Sequence, residues 1–364
     1  IEPQEKYTRV RFRIDGVLHE IIQAPLRLHP TIASRIKVMG GMDIAERRVP
    51  QDGRITIRIE DKTVDIRVAT LPSAYGEKIT MRLLNRSSKV LTLEELGFPD
   101  RHLRRYEKTI RLPYGFLLIT GPTGSGKSTT LYATLAKLNS PDKNIITLED
   151  PIERRMDGIN QIQMNARAGM TFASGLRSIL RSDPDIIMVG EIRDRETAKI
   201  AVESALTGHL VFSTLHTNDA PGAVTRLGEM GVEPFLTASS LIGVVAQRLI
   251  RVLCPQCKKA YEMSREEILK SVPDFPIGPD ESSVILYKAV GCMSCNNTGY
   301  RGRKGVYEFL SVTEAIQKLI LERASTNDIR DVAISEGMNT LRQDGLMKVK
   351  QGLTSMEELL RVVM

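Results

Sequence analysis

The sequence predicts an α/β protein: a parallel sheet flanked by helices, with a smaller α+β region before it and a cysteine-bearing insertion within it. Three observations carry this. From Tyr106 onward, short apolar runs alternate with helical segments, the signature of strand–helix–strand units. One strand–helix junction is a glycine-rich turn with a full phosphate-loop pattern. All four cysteines fall late in the chain, in two C-x-x-C pairs.

The 364 residues are enough for two domains at about 150 each. Hydrophobic residues at 41% and charged residues at 26% exclude a disordered, collagen-like or integral membrane chain. No apolar stretch nears the roughly 18–20 residues of a membrane span. The longest apolar pieces, 116–119 and 241–246, are core-sized. No secretory signal is present, and a start at Ile1 rather than Met is expected of a fragment lacking upstream sequence. The net charge of +7 is uneven: residues 1–110 hold 21 basic and 15 acidic side chains. A basic region invites a nucleic-acid reading. Against it, like-charge runs are as short as Arg47-Arg48 and Arg104-Arg105, and 17 Phe+Tyr with no Trp leave few stacking platforms. A solvated surface is the favoured use.

In the first third, Val10, Phe12 and Ile14 alternate with Arg9, Arg11 and Arg13, a half-buried strand ended by the Asp15-Gly16 turn. Residues 30–47 show helical spacing. Ile55, Ile57 and Ile59 alternate, Glu60-Asp61-Lys62 turns, and Val64, Ile66 and Val68 alternate back; 79–84 adds a strand. The polar stretch 85–89 and Gly97-Phe98-Pro99 mark a boundary. The expected division is a domain over 1–98, a linker over 99–108 and a domain over 109–364 containing a metal module at 253–297. In that second domain strands are predicted at 116–120, 144–148, 186–189 and 210–214, with helices at 129–138, 172–181 and 195–206. Ser355 and Glu358 before an apolar run form a capping box for the tail.

Gly121-Pro122-Thr123-Gly124-Ser125-Gly126-Lys127-Ser128 matches G-x-x-x-x-G-K-[ST] between a strand and a helix, with Thr129 next. Glycines let backbone N–H groups curl around phosphates, and the helix N-terminus adds partial positive charge. Lys127 reaches the β and γ phosphates of a nucleotide and Ser128 ligates Mg²⁺. Strand 186–189 ends in Gly190-Glu191, where many such proteins carry Asp-Glu, so the metal is held less directly or by Glu191 itself. Glu149, Asp150 and Glu153 end or follow another strand, where carboxylates orient water or metal. Each also serves as a helix cap in the plainer reading. His216, just past a strand beside Thr214 and Thr217, is a candidate γ-phosphate sensor or a structural hydrogen-bonder.

Cys254-Pro255-Gln256-Cys257 and Cys292-Met293-Ser294-Cys295 are separated by 34 residues. Two C-x₂-C pairs have the spacing of a structural Zn²⁺ site with no open position. Two disulfides or a redox pair are the alternatives, and nothing in the sequence points to an oxidising compartment. Lys258, Lys259, Arg301, Arg303 and Lys304 cluster near the pairs as solvated charge.

Four boxes in this order resemble the secretion-superfamily ATPases: 121–128, Thr147-Leu148-Glu149-Asp150-Pro151-Ile152-Glu153, Gly190-Glu191-Ile192-Arg193-Asp194, and 208–217. In that family they are the Walker A, Asp, Walker B and His boxes. The cysteine pairs resemble its assembly branch, type IV pilus extension ATPases and type II secretion ATPases; retraction and conjugation-type relatives lack them. The resemblance covers the whole chain. It implies a RecA-like ATPase domain with a zinc-binding insertion, preceded by a PAS-like α+β domain, in a homohexameric ring with ATP between protomers. In relatives a further N-terminal domain contacts a platform protein of the inner membrane, so the resemblance implies a cytoplasmic, peripherally membrane-bound protein with no nucleic-acid partner. Among the site residues, Glu191 is implied as catalytic base or Mg²⁺ ligand, Glu149 as polarising water, and Arg67, Arg82, Arg177 and Arg181 as phosphate-facing arginines. An arginine finger is worth about 10³–10⁵ in rate, roughly 4–7 kcal/mol. The implied function is ATP-driven pilin polymerisation in type IV pilus assembly, with type II secretion as the alternative. A nucleic-acid translocase and a nucleotide-gated scaffold are the remoter readings.

Overall fold

The computed structural model describes residues 1–60, 62–85, 90–165 and 168–363. They form two compact units, Ile1–Lys89 with Glu153–Arg155, and Val90–Ile152 with Met156–Met364.

In the first unit β1 (Glu2–Pro3), β2 (Tyr7–Ile14) and β3 (Val17–Pro25) make an antiparallel sheet in that order. Ile14 pairs with Val17 across the predicted turn, and φ of 48° at Asp15 and 88° at Gly16 give the twist a two-residue hairpin needs. Helix α1 (His29–Met39) follows. It is shorter than the predicted 30–47 because Gly40-Gly41 ends it, Gly41 at a φ of 66°. Strands β4 (Gln51–Ile59), β5 (Lys62–Ser73) and β6 (Gly76–Asn85) form a second antiparallel sheet. Their inward residues Ile55, Ile66, Val68 and Ile79 pack with Ala33 of α1 and Met42. The turn residue Asp61 and positions 86–89 of the boundary stretch lie outside the described residues.

The second unit runs through α2 (Asp100–Thr109), β7 (Gly115–Thr120), α3 (Lys127–Leu138), β8 (Ile145–Glu149), β9 (Asn160–Gln163), α4 (Phe172–Ile179), β10 (Ile186–Val189), α5 (Arg195–Leu206) and β11 (Leu210–Leu215). Then come α6 (Ala220–Glu229), α7 (Pro234–Ser240), β12 (Leu241–Leu253), β13 (Lys259–Ser264), α8 (Arg265–Ser271), β14 (Ser283–Lys288) and β15 (Tyr300–Ser311). Helices α9 (Glu314–Leu321), α10 (Thr326–Ser335), α11 (Leu341–Lys350) and α12 (Met356–Val363) close it. Seven strands form one sheet in the order β15-β12-β7-β11-β10-β8-β9, parallel except for β15, which runs against β12. The four predicted strands are β7, β8, β10 and β11. β12 and β15 have no counterpart among the predicted elements.

A parallel sheet must be covered on both faces. Phe116 and Leu118 face Leu176, Ala201 and Leu227 of α4, α5 and α6, while Leu117 and Ile119 face Tyr106, Leu131 and Leu135 of α2 and α3. Residues 99–108, read from sequence as a linker, are therefore mostly helix α2. Tyr106 is fully buried with its hydroxyl 2.6 Å from Thr134 Oγ1, and the Phe98 ring stacks on Tyr307 at 3.7 Å. Capping fixes the helix starts: Asp194 accepts from the Thr197 N–H at 2.8 Å, and Asp219 from the Gly222 N–H at 2.8 Å. At α12 the predicted box is half formed. Ser355 Oγ accepts from the Glu358 N–H at 3.2 Å, but the buried Glu358 carboxylate turns to Arg251 (2.7 Å) and Arg361 (2.6 Å). Among the described residues no helix is long and apolar enough to cross a membrane.

Candidate active site and metal centre

Parallel strands deliver their following loops to one edge of a sheet, where α/β proteins bind ligands. Here β7 leads to Gly121, β8 to Asp150, β10 to Glu191 and β11 to His216. Ala246 of β12 pairs with Thr120, so Gln247 and Arg248 join the same edge.

The loop 121–128 is built for close approach of an anion. Gly121, Gly124 and Gly126 have φ of 146°, 81° and 93°. A Cβ at Gly121 would sit 2.5 Å from Gln247 O and 2.6 Å from Ser125 Oγ, so that position excludes every other residue. Ser125 Oγ is buried and, among the described residues, has no hydrogen-bond partner. A phosphate oxygen would supply the missing acceptor. Lys127 Nζ donates to Gly121 O at 2.7 Å and Pro122 O at 3.2 Å. Burial, then the nearby Arg248 guanidinium, pull its ammonium down to about 8, so an anion here relieves both. Ser128 and Thr129, in the first turn of α3, are exposed at the loop, as are Pro122 and Thr123. Gln247 went unrecognised in the sequence. Its amide donates to Ser125 O at 2.7 Å and accepts from Thr130 at 2.8 Å, locking loop and helix to β12. The available signal was a Gln-Arg pair interrupting an apolar strand.

Glu191 faces this loop's strand edge between two partners. Its Oε2 lies 3.3 Å from His216 Nε2, and Arg193 pairs with Oε1. Burial, then the positive charges of Lys127 and Arg193, hold His216 below the ordinary imidazole value. Lys127, Glu191, Arg193 and His216 thus lie at one edge of the sheet. Thr120 Oγ1 accepts from the Thr217 N–H at 2.8 Å, tying the His216 turn to the end of β7. Asp150 is exposed, 3.9 Å from Arg193. Glu149 is placed differently from a water-polarising group. It is buried, with Oε1 accepting from Thr147 at 2.6 Å and Gln161 at 3.0 Å and Oε2 from the Tyr132 hydroxyl. Its oxygens are occupied by donors from α3, β8 and β9, so it holds those elements in register.

The remaining residues lie elsewhere. Glu153 groups with the first unit, its Oε1 4.0 Å from Arg67 Nη1. Arg67 and Arg82 are register partners on β5 and β6, and Arg54 of β4 stands opposite Arg67. Like charges directly opposite one another are unfavourable, and the Glu153 carboxylate lies beside the middle one. Arg54 could be found only from register. Arg177 and Arg181 sit at the end of α4 that leads into the amino end of β10, away from the phosphate loop. Arg177 pairs with Glu196 at 2.6 Å, and Arg181 donates to Arg177 O at 2.9 Å. Within one chain they are not part of the cluster.

The cysteine pairs grow from the ends of the β12–β15 ladder, where Leu253 pairs with Tyr300. Their four sulfurs lie within 4.8 Å of one another, with Cys254–Cys292 at 3.9 Å, Cys257–Cys295 at 3.8 Å and Cys292–Cys295 at 3.8 Å. All four are free, which removes the disulfide alternative. Zinc–sulfur bonds of about 2.3 Å in a tetrahedron separate sulfurs by about 3.8 Å, so the set fits Zn²⁺. Cys292 and Gly299 N–H groups each donate to Cys295 Sγ at 3.2 Å, favouring its thiolate.

Residues 1–361 match the family of type II/IV secretion system proteins. The chain is 53% identical over 362 residues to the type II secretion system ATPase E of Vibrio cholerae serotype O1, covering 100% of this chain and 71% of that protein. It is 51% identical over 361 residues to the type IV pilus assembly ATPase PilB of Myxococcus xanthus, covering 99% and 63%. Among solved structures it resembles the pilus retraction motor PilT with bound ADP, with a TM-score of 0.60 and 25% identity over 96% of this chain and 89% of that one. The fold is also that of the Legionella pneumophila ATPase DotB, with a TM-score of 0.67 and 22% identity over 95% and 86%. A complete phosphate loop, the Glu191–His216 pair beside it and this breadth of similarity make the chain a member of the type II/IV secretion system family of ATPases.

Proposed function

We propose that this chain is a Mg²⁺-dependent ATP hydrolase that works as a homohexameric ring and drives pilin polymerisation in type IV pilus assembly. The observation that carries the reading is the convergence of Lys127, Glu191 and His216 on a loop whose buried Ser125 hydroxyl lacks an acceptor. Loop N–H groups, Ser125 and Lys127 bind the phosphates. Ser128 and Glu191 would hold Mg²⁺, which supplies charge neutralisation when bound. Glu191, oriented by Arg193 and His216, accepts the proton of the attacking water. Arg67 and Arg82, with Arg54 in the same row of a PAS-like first unit, would take a nucleotide phosphate in the ring. Arg177 and Arg181, at the far end of α4, act on the nucleotide of a neighbouring protomer. A platform protein of the inner membrane is the partner that receives the motion. Type II secretion is the second reading, favoured by 53% identity across the whole chain to a type II secretion ATPase.

Phosphate release by the purified chain at ring-forming concentration tests this. Turnover is expected with ATP and Mg²⁺, to vanish on chelation of Mg²⁺, and to change less than about twofold on adding single- or double-stranded DNA. Nucleotide binding without turnover in assembled rings supports a scaffold instead. Stimulation by DNA with a steep negative salt slope supports a translocase.

A further inference from the structure

We infer that Arg248 is a positioning residue for ATP hydrolysis, clamping the turn that carries His216 to the base of the phosphate loop. The inference rests on the proposed ATPase reading. Arg248 follows Gln247 at the end of β12 that lies beside Gly121. One arm of its guanidinium, Nη1, donates to Gln247 O at 3.2 Å, the same oxygen that lies 2.5 Å from the Cβ position of Gly121. The other arm, Nη2, donates to Asn218 O at 3.0 Å and Asn218 Oδ1 at 3.3 Å. Asn218 is two residues past His216, between Thr217, held by Thr120, and Asp219, which caps α6 and pairs with Arg330 at 2.7 Å. Every residue from Thr217 to Asp219 thereby has a tether, and Arg248 adds one from Asn218 to the Gln247 carbonyl that lies beside Gly121.

The chemistry of the side chain suits this task. Among the described residues Arg248 forms no ion pair with a carboxylate, although Glu308 and Asp219 bear on it from a distance. The half-buried guanidinium is held instead by the oxygens of Gln247 and Asn218. A planar fork reaches two carbonyls at once, which a lysine ammonium on a flexible stem does not reproduce. Loss of the clamp lets the His216 turn shift against Lys127, and a misplacement of about 1 Å lowers rate by about 10²-fold. Phosphate binding, built from the loop and Lys127, is left in place.

The test compares Arg248→Met and Arg248→Lys with the wild-type chain, reading kcat for ATP and the Kd of a fluorescent non-hydrolysable ATP analogue. Both variants are expected to lower kcat, Arg248→Met by about 10²-fold, with Kd changed less than about threefold. Arg248→Lys is expected to restore less than a tenth of the wild-type kcat. In a His216→Ala background, Arg248→Met is expected to lower kcat by no more than about threefold further, because both act through one turn. A kcat for Arg248→Met within threefold of wild type overturns the inference, as does a Kd that weakens in proportion to the lost activity. Full recovery by lysine overturns it too, because charge alone would then suffice; Arg248→Lys also serves if the methionine variant does not fold. An active wild type with an unaffected Arg248→Met defeats this inference alone. A wild type without turnover defeats the ATPase reading and this inference with it.

Discussion

Lys127→Ala is expected to lower kcat/KM for ATP by about 10²–10⁴-fold while leaving thermal unfolding nearly unchanged. The magnitude follows from the contacts. A charge-assisted hydrogen bond is worth about 1.5–3 kcal/mol, and an ammonium between two phosphates makes at least two, so about 3–6 kcal/mol is lost. At about 1.36 kcal/mol per decade this gives the stated range. Fold stability is spared because Lys127 donates only to two loop carbonyls, Gly121 O and Pro122 O, in the free chain. The loop itself is held by Gln247 and by the glycine conformations instead. Isothermal titration with ATP alongside phosphate release checks this. A variant within threefold of wild type in both would remove Lys127 from the phosphate site.

The cysteine cluster predicts one zinc per chain, and Cys292→Ser is expected to bring that below about 0.1. Removing one ligand from a closed four-thiolate site leaves three thiolates around an open position, and structural zinc contributes folding energy directly. The consequence reaches beyond the knuckles. Cys254 N–H donates to Gly299 O at 2.9 Å, so a metal held by the four sulfurs would clip the ends of β12 and β15, the strands that carry Gln247 and Glu308. β13, α8 and β14 between the pairs pack Ile268, Val272, Phe275, Val284 and Leu286 onto Leu346, Val349 and Leu359 of α11 and α12. A loss of several kcal/mol at about 2–4 °C each lowers Tm by on the order of 10 °C. Metal analysis and a thermal scan of wild type and Cys292→Ser decide it. Full zinc in the variant, or none in the wild type, would contradict the assignment.

What the sequence made legible was local chemistry. The phosphate loop, the cysteine pairs and the strand ends at Glu191 and His216 each declare themselves through residue type and spacing, and the fold puts the first, third and fourth on one edge. What stayed hidden depends on partners far away in sequence. Gln247 touches Ser125 only because β12 inserts beside β7, a placement that no periodicity records. Arg54 joins Arg67 and Arg82 only through the registers of β4, β5 and β6. Glu149 reads as a reactive strand-end carboxylate until Tyr132, Thr147 and Gln161 are seen to fill it. Helix α2 reads as a linker because its charged face dominates the sequence, while only His102 and Tyr106 are buried within it. The helical spacing past Met39 was overridden by two glycines.

Glu191→Gln, with binding and turnover measured separately, decides whether Glu191 turns a nucleotide-binding loop into a hydrolase. Glutamine keeps the side chain's shape and a contact to His216 but removes the proton acceptor, and general-base catalysis is worth about 10²–10⁴-fold. Analogue binding is expected to stay within about threefold of wild type, with kcat lower by about 10²–10⁴-fold. Wild-type turnover in Glu191→Gln would contradict it.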